Sequence, residues 1–279
     1  MKLIHQEYGK GKVRVMKVTR SGKWNELKEV DVTVMLSGDF GKSYTEGDNS
    51  KVVPTDTVKN TIHILAKTEL GEDIEEFALA LGSHFLKKYS QVSSVRIEIS
   101  ERLWSRMAFG DKLHDHSFVG SNQEYPFTKV VCARGKKPVV QSGMSDLVIL
   151  KTTASGFENY PKCEFTTIPE TNDRILGTSL NASWEYNSTP KSYSKANAVI
   201  LEAMMKAFTK NYSPSLQKTL HEMAEAGFKA VKQVNKISLK APNMHCLLVN
   251  FAPFGMENKN EIFVPTTEPH GQIEGDFER

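Results

Sequence analysis

Val30-Asp31-Val32-Thr33-Val34-Met35-Leu36 is the stretch that decides the fold class. Val30, Val32, Val34 and Leu36 alternate with Asp31, Thr33 and Met35. Successive strand side chains point to opposite faces, so this period of two predicts a strand with one buried face and one wetter face. Sheets of that kind are characteristically antiparallel. Upstream, Val13 and Val15 alternate with Arg14 and Met16, and Ser21-Gly22 supplies a turn between the two runs. Downstream the period changes. A helix is expected to begin near Pro54-Thr55-Asp56, because Thr and Asp cap helix N-termini well, and to run through Val58, Ile62 and Leu65. Ile74, Phe77, Ala78, Leu81 and Phe85 then form one apolar helical stripe. Strand alternation returns at Val95, Ile97 and Ile99, and again around Lys129-Val130-Val131-Cys132.

The second half runs through the same order. Leu147 to Thr152 reads as a buried strand, and Leu180, Ala182, Trp184 and Tyr186 alternate with Asn181, Ser183 and Glu185. Helical spacing follows at Val199, Met204, Met205 and Phe208, then at Leu216, Leu220, Met223, Gly227 and Val231. Extended chain is expected at Ile237–Leu239 and at His245–Phe251. Strand pair, helices and strand pair thus occur twice, offset by roughly 140 residues, which is an internal duplication. The expected fold is α+β: two tandem domains, 1–135 and 136–279, each an antiparallel sheet with helices on one face. The polar run Ala133-Arg134-Gly135-Lys136-Lys137-Pro138 supplies the boundary. Such sheets have edges, and copies of the chain could close them into a barrel.

Composition narrows the function classes. The 279 residues carry 36 basic and 33 acidic side chains, a scattered net charge of +3 that gives no nucleic-acid footprint. Three cysteines, Cys132, Cys163 and Cys246, form no C-x-x-C, so neither a zinc ribbon nor a disulfide scaffold is indicated. No apolar run approaches a membrane span or a signal peptide, and the chain ends Asp-Phe-Glu-Arg rather than in a peroxisomal tripeptide. A cytoplasmic protein without membrane or nucleic-acid partners is expected. Walker, G-x-G-x-x-G and H-E-x-x-H motifs are missing. His114-Asp115-His116 offers two imidazoles without identifiable further ligands, so a structural or solvated role is favoured over a metal.

The segment Leu147-Val148-Ile149-Leu150-Lys151-Thr152-Thr153-Ala154-Ser155-Gly156-Phe157-Glu158-Asn159-Tyr160, with Asp173-Arg174-Ile175 beyond it, runs from a strand into a polar loop and then to an arginine. On its own it also fits a loop phenylalanine returning to the core and a surface arginine. The segment resembles the signature of the urate oxidase (uricase) family. Tyr8-Gly9-Lys10, Ser43-Tyr44-Thr45, Asp48-Asn49-Ser50, Thr55-Asp56, Lys59-Asn60-Thr61, Leu216-Gln217, Met223-Ala224-Glu225 and Pro242-Asn243-Met244-His245 match further blocks of that family in order. The similarity covers nearly the whole chain.

The resemblance implies two tunnelling-fold domains per subunit, a homotetramer closed into a barrel, and active sites between subunits. It implies oxidation of urate by dioxygen and water to 5-hydroxyisourate and hydrogen peroxide, with no cofactor and no metal. It assigns Lys10, Thr55 and His245 to proton handling, and Thr55, Asp56, Phe157, Arg174, Leu216, Gln217 and Asn243 to substrate binding. Chemistry fits those assignments. Phe157 can stack on a purine, Arg174 offers a planar fork, and Gln217 can read a neighbouring C=O and N–H together. Thr55 and Asp56 sit where free helix N–H groups favour an anion, or serve as ordinary N-caps. By the same resemblance Lys10 would act as a base, Thr55 would pass a proton to it, and His245 would take up or supply protons. Met244 and Ile168 depart from the family pattern without touching a proposed catalytic group. Two other readings compete: a tunnelling-fold pterin- or purine-processing enzyme using zinc, and a purine-binding protein without turnover.

Overall fold

The computed structural model describes residues 1–120 and 123–279. These fall into two compact units, one of Met1–Met144 with Glu185–Asn197, the other of Ser145–Trp184 with Ala198–Arg279.

The first unit opens with β1 (Tyr8–Ser21) and β2 (Trp24–Gly38). They pair antiparallel through the turn Gly22-Lys23, where Gly22 takes φ +59°, a conformation that suits glycine. Val30, Val32, Val34 and Leu36 are fully buried on β2, while Asp31, Thr33 and Met35 are half-buried. The short α1 (Gly41–Thr45) follows, then α2 (Thr55–Glu69) and α3 (Ile74–Lys88). Then come β3 (Val92–Arg102), a hairpin of β4 (Trp104–Phe109) and β5 (Lys112–Gly120), and β6 (Tyr125–Ala133). The sheet order is β1-β2-β3-β6, followed by the opening of β7 (Val139–Lys151). The expected stripe of α3 is buried throughout and packs on β3 and β6, while α2 packs on β1.

The rest of β7 starts the sheet of the second unit, followed in order by β8 (Leu176–Tyr186), β9 (Val234–Leu248) and β10 (Phe263–Glu278). Helices α4 (Tyr193–Lys210) and α5 (Leu216–Ala230) lie between β8 and β9 in sequence. Leu180, Ala182 and Trp184 of β8 face the core, as does the Leu216, Leu220, Met223 and Ala224 face of α5. The element order strand, strand, helix, helix, strand, strand therefore occurs twice, as the duplication requires, with α1 and the β4–β5 hairpin added in the first half.

Two expectations are corrected. Ile237–Leu239 and His245–Phe251 are not separate strands: β9 runs unbroken through Pro242, ends at Leu248 short of Phe251, and lies between β8 and β10. Pro242 reads as a breaker, yet β9 carries it paired with Gln272. The start of α2 lies where expected, but Pro54 is its N-cap, so Thr55 and Asp56 are its first two helical residues and not its caps.

Candidate active site

In the first unit, Lys10 is half-buried on β1, paired with Val34 of β2. The register breaks immediately after it, before Val13, and Lys12 is carried at φ +52° with its N–H on Thr33 Oγ1 at 3.1 Å. A bulge of this kind re-aims the neighbouring side chains. Gly9 is required beside it, because a Cβ there would lie 1.9 Å from the Val34 carbonyl oxygen.

Thr55 and Asp56 are exposed in the first turn of α2, among the N–H groups that helices leave unpaired. Asp56 bonds Lys59 Nζ at 2.6 Å and Asn60 Nδ2 at 2.9 Å. The Lys59 bond and charge hold its carboxyl below the usual aspartate value, with the Lys10 charge adding to the effect. Lys10, Thr55 and Asp56 thus gather where α2 packs on β1.

The second unit builds the other group from the loop after β7. Phe157 exchanges backbone hydrogen bonds with Thr171 at 2.7 and 3.2 Å. Arg174 N–H donates to the Ser155 carbonyl at 2.7 Å, which brings the guanidinium carbon to 5.3 Å from the Phe157 ring centroid. Tyr160 stacks on Phe157 at 4.7 Å and 13°. Arg174 Nε is buried and has no hydrogen-bond partner among the described residues. Burial pushes the guanidinium pKa below its ordinary value, with the Tyr212 hydroxyl acting in the opposite sense. A planar donor beside an aromatic ring, with a donor left open, suits a flat anion rich in acceptors.

The same loop is tied to the entrance of α5. Gly156 N–H donates to the Ser213 carbonyl at 2.8 Å, and Ser213 N–H to that of Ala154 at 2.9 Å. Ser215 then caps α5 by accepting from Lys218 N–H at 3.2 Å, which starts the helix at Leu216 and Gln217. Leu216 is buried, as an apolar wall would be, and Gln217 is exposed.

Asn243 and His245 lie two apart on β9, half-buried, with Met244 between them facing β8: its Cβ is 3.5 Å from where a Gly177 Cβ would stand. Opposite them the β9–β10 register shifts between Thr266 and Gly271.

All nine expected residues are therefore placed in two groups. Lys10, Thr55 and Asp56 belong to the first unit, and Phe157, Arg174, Leu216, Gln217, Asn243 and His245 to the second. The braces were not anticipated. Asp173 accepts from Thr153 Oγ1 at 2.8 Å and Ala154 N–H at 3.1 Å. Tyr212 donates to the Asn172 carbonyl at 2.9 Å and lies so close to Gly156 that any Cβ there would meet its oxygen at 2.2 Å. The sequence hint was Ser155-Gly156 inside a long polar loop, since glycine often marks a close approach. His114 and His116 meet edge to face at 4.6 Å, and among the described residues no group of three or more His, Cys, Asp or Glu side chains could hold a metal ion. No helix among the described residues is long and apolar enough to cross a membrane.

Comparison with known proteins gives concordant matches. The Uricase family model matches residues 6–131 and 140–274. The chain is 38% identical to a uricase of Dictyostelium discoideum, covering 99% of this chain and 97% of the relative. It is 34% identical to a uricase of Oryctolagus cuniculus, covering 100% and 95%. The crystal structure of uricase from Arthrobacter globiformis superposes with a TM-score of 0.94 at 35% identity, covering 100% of this chain and 96% of that one.

Proposed function

The chain belongs to the uricase family, and from that premise we propose that it oxidises urate with dioxygen and water to 5-hydroxyisourate and hydrogen peroxide without a cofactor. The observation that carries this reading is the open, buried Nε of Arg174 beside the Phe157 ring. Urate is a flat anion with adjacent oxygen and nitrogen acceptors, which a guanidinium fork can take in pairs while the ring stacks on a phenyl face. Gln217 reads a neighbouring C=O and N–H, and Leu216 walls the apolar side.

In this reading Lys10, through the Thr55 hydroxyl, removes a second proton from bound urate. The resulting dianion is itself the electron donor. It gives two electrons to dioxygen, and a carbon–oxygen bond forms to yield a hydroperoxide. Water then replaces the peroxide group, and hydrogen peroxide leaves with the balancing protons. His245 supplies and accepts protons at this stage, and Asn243 holds dioxygen or water over the ring. Urate, dioxygen and water enter, while 5-hydroxyisourate and peroxide leave, so atoms and electrons balance. The protein contributes orientation and proton management.

We further propose that the functional form is a homotetramer of chains with tandem domains 1–135 and 136–279. Lys10, Thr55 and Asp56 of one subunit then face Phe157, Arg174, Leu216, Gln217, Asn243 and His245 of its neighbour. The duplicated strand and helix order and the free edge strands β1 and β10 support this assembly.

Chelator-treated protein incubated aerobically with urate tests the reaction. Near-UV loss of urate, oxygen uptake and peroxide release should match one to one to one. Bound but unconsumed urate would move the protein to the binding class. Activity restored only by added zinc would move it to the metal-dependent class.

A further inference from the structure

We propose that Tyr8 is the positioning residue that fixes Thr55 relative to Lys10, an inference that deepens the urate-oxidising reading and rests on it. Tyr8 Oη accepts the backbone N–H of Val53 at 2.7 Å. Tyr8 stands two residues before Lys10 on β1, and Val53 stands two residues before Thr55. Pro54 has no N–H, so the Val53 amide is the last backbone donor before Thr55. The bond therefore links the strand that carries Lys10 to the last backbone N–H before Thr55.

The rest of that chain is irregular. Between α1 and α2 its backbone is held by local turns, such as Val52 N–H on the Asn49 carbonyl at 3.0 Å, and by Gln91 Nε2 on the Lys51 carbonyl at 2.9 Å. Tyr8, by contrast, is tightly framed. Its ring meets Phe40 edge to face at 4.8 Å and 86°, and Phe40 is buried. Glu7 before it takes Arg96 in two bonds of 3.2 and 2.7 Å. Gly9 after it has no room for a side chain. Burial pushes the Tyr8 phenol pKa up, with the Val53 bond working against that shift, so the group stays neutral and acts as a fixed acceptor rather than a base. Proton transfer between Lys10 and Thr55 depends on sub-ångström placement, and this bond sets the relative position of their backbones.

Tyr8→Phe keeps the ring and removes the acceptor. Its kcat for urate should fall about tenfold while KM stays within about twofold, because a buried amide that loses its acceptor shifts to find another and the stacking residues Phe157 and Arg174 are untouched. Ile74→Val, a modest loss of stability in the same unit, should keep kcat. A Tyr8→Phe enzyme with kcat within twofold of the parent, a loss carried wholly by KM, or an equal loss in Ile74→Val would each overturn the inference. If Tyr8→Phe folds poorly, Phe40→Leu, which loosens the ring but leaves the hydroxyl, should lower kcat about threefold, and an unchanged kcat overturns the proposal. Wild-type protein with no urate turnover ends the reading of the site and this inference with it. Active wild type with an equally active Tyr8→Phe ends the role of Tyr8 alone.

Discussion

Arg174 gathers in one side chain the geometry on which the proposed urate site rests: its backbone is pinned to Ser155, its guanidinium lies by Phe157, and its Nε is open. Arg174→Lys keeps the charge and loses the fork. Hydrogen bonds to charged groups contribute about 1.5–3 kcal/mol, so kcat/KM for urate should fall roughly 10- to 100-fold. Steady-state kinetics check this, and an unchanged kcat/KM would show that charge alone suffices. Gly9→Ala belongs to the same scale. Its Cβ would strike the Val34 carbonyl, and overpacking of that kind costs about 1–3 kcal/mol or more, readable as a lower urea midpoint. Phe157 and Arg174 stand out in the sequence because a long motif carries them. Tyr8, Gly156 and Tyr212 were not singled out as braces, because they act through single backbone bonds and close contacts that leave no periodic trace.

At the scale of elements, the start of α4 is held by a carboxylate from far away in sequence. Asp73 accepts from Tyr193 N–H at 3.0 Å and Ser194 N–H at 2.7 Å, so it caps α4 from the turn that precedes α3. Burial alone would raise its pKa, but these bonds and those of the neighbouring serine hydroxyls outweigh it and hold the carboxyl low. Two residues on, Glu75 is buried and accepts from Ser142 Oγ at 2.5 Å and Asn197 Nδ2 at 2.8 Å, yet burial dominates and pushes its pKa up. The two carboxyls therefore act on stability with opposite sign. Asp73 contributes fully above the ordinary aspartate value of 3.8, and its contribution is lost as pH falls through its lower folded value. Glu75 contributes fully below the ordinary glutamate value of 4.5, and its contribution is lost as pH rises through its higher folded value.

Glu75→Gln, which can still accept both bonds, should melt above wild type in neutral and alkaline buffer, with the gap closing towards pH 4.5. A constant gap across that range would contradict the assignment. Asp73→Ala should cost about 1 kcal/mol at neutral pH, the usual scale of a lost cap. An unchanged melting temperature would count against the cap. Strands such as β2 and β8 were legible because a buried face and a polar face alternate cleanly. β10 was not, since Pro265, Pro269, Gly271 and Gly275 interrupt it and most of its side chains stay exposed or half-buried.

At the scale of the whole molecule, the nine expected site residues divide between two compact units, three in one and six in the other. The duplication was legible because each half repeats the same change of hydrophobic period, from two to 3.6 and back. The homotetramer rests on the family resemblance and not on pattern, because a free strand edge looks alike whether solvent or another chain covers it. Dilution to monomers should abolish turnover, and a stable, fully active monomer by light scattering would refute a site shared between chains. The most direct measurement co-expresses Thr55→Ala chains with Arg174→Ala chains, each inactive alone. If one chain supplies Lys10 and Thr55 while its neighbour supplies Phe157 and Arg174, random assembly restores about a quarter of the sites to wild type, with urate turnover to match. Mixed oligomers that remain as inactive as either parent would contradict a site completed between chains.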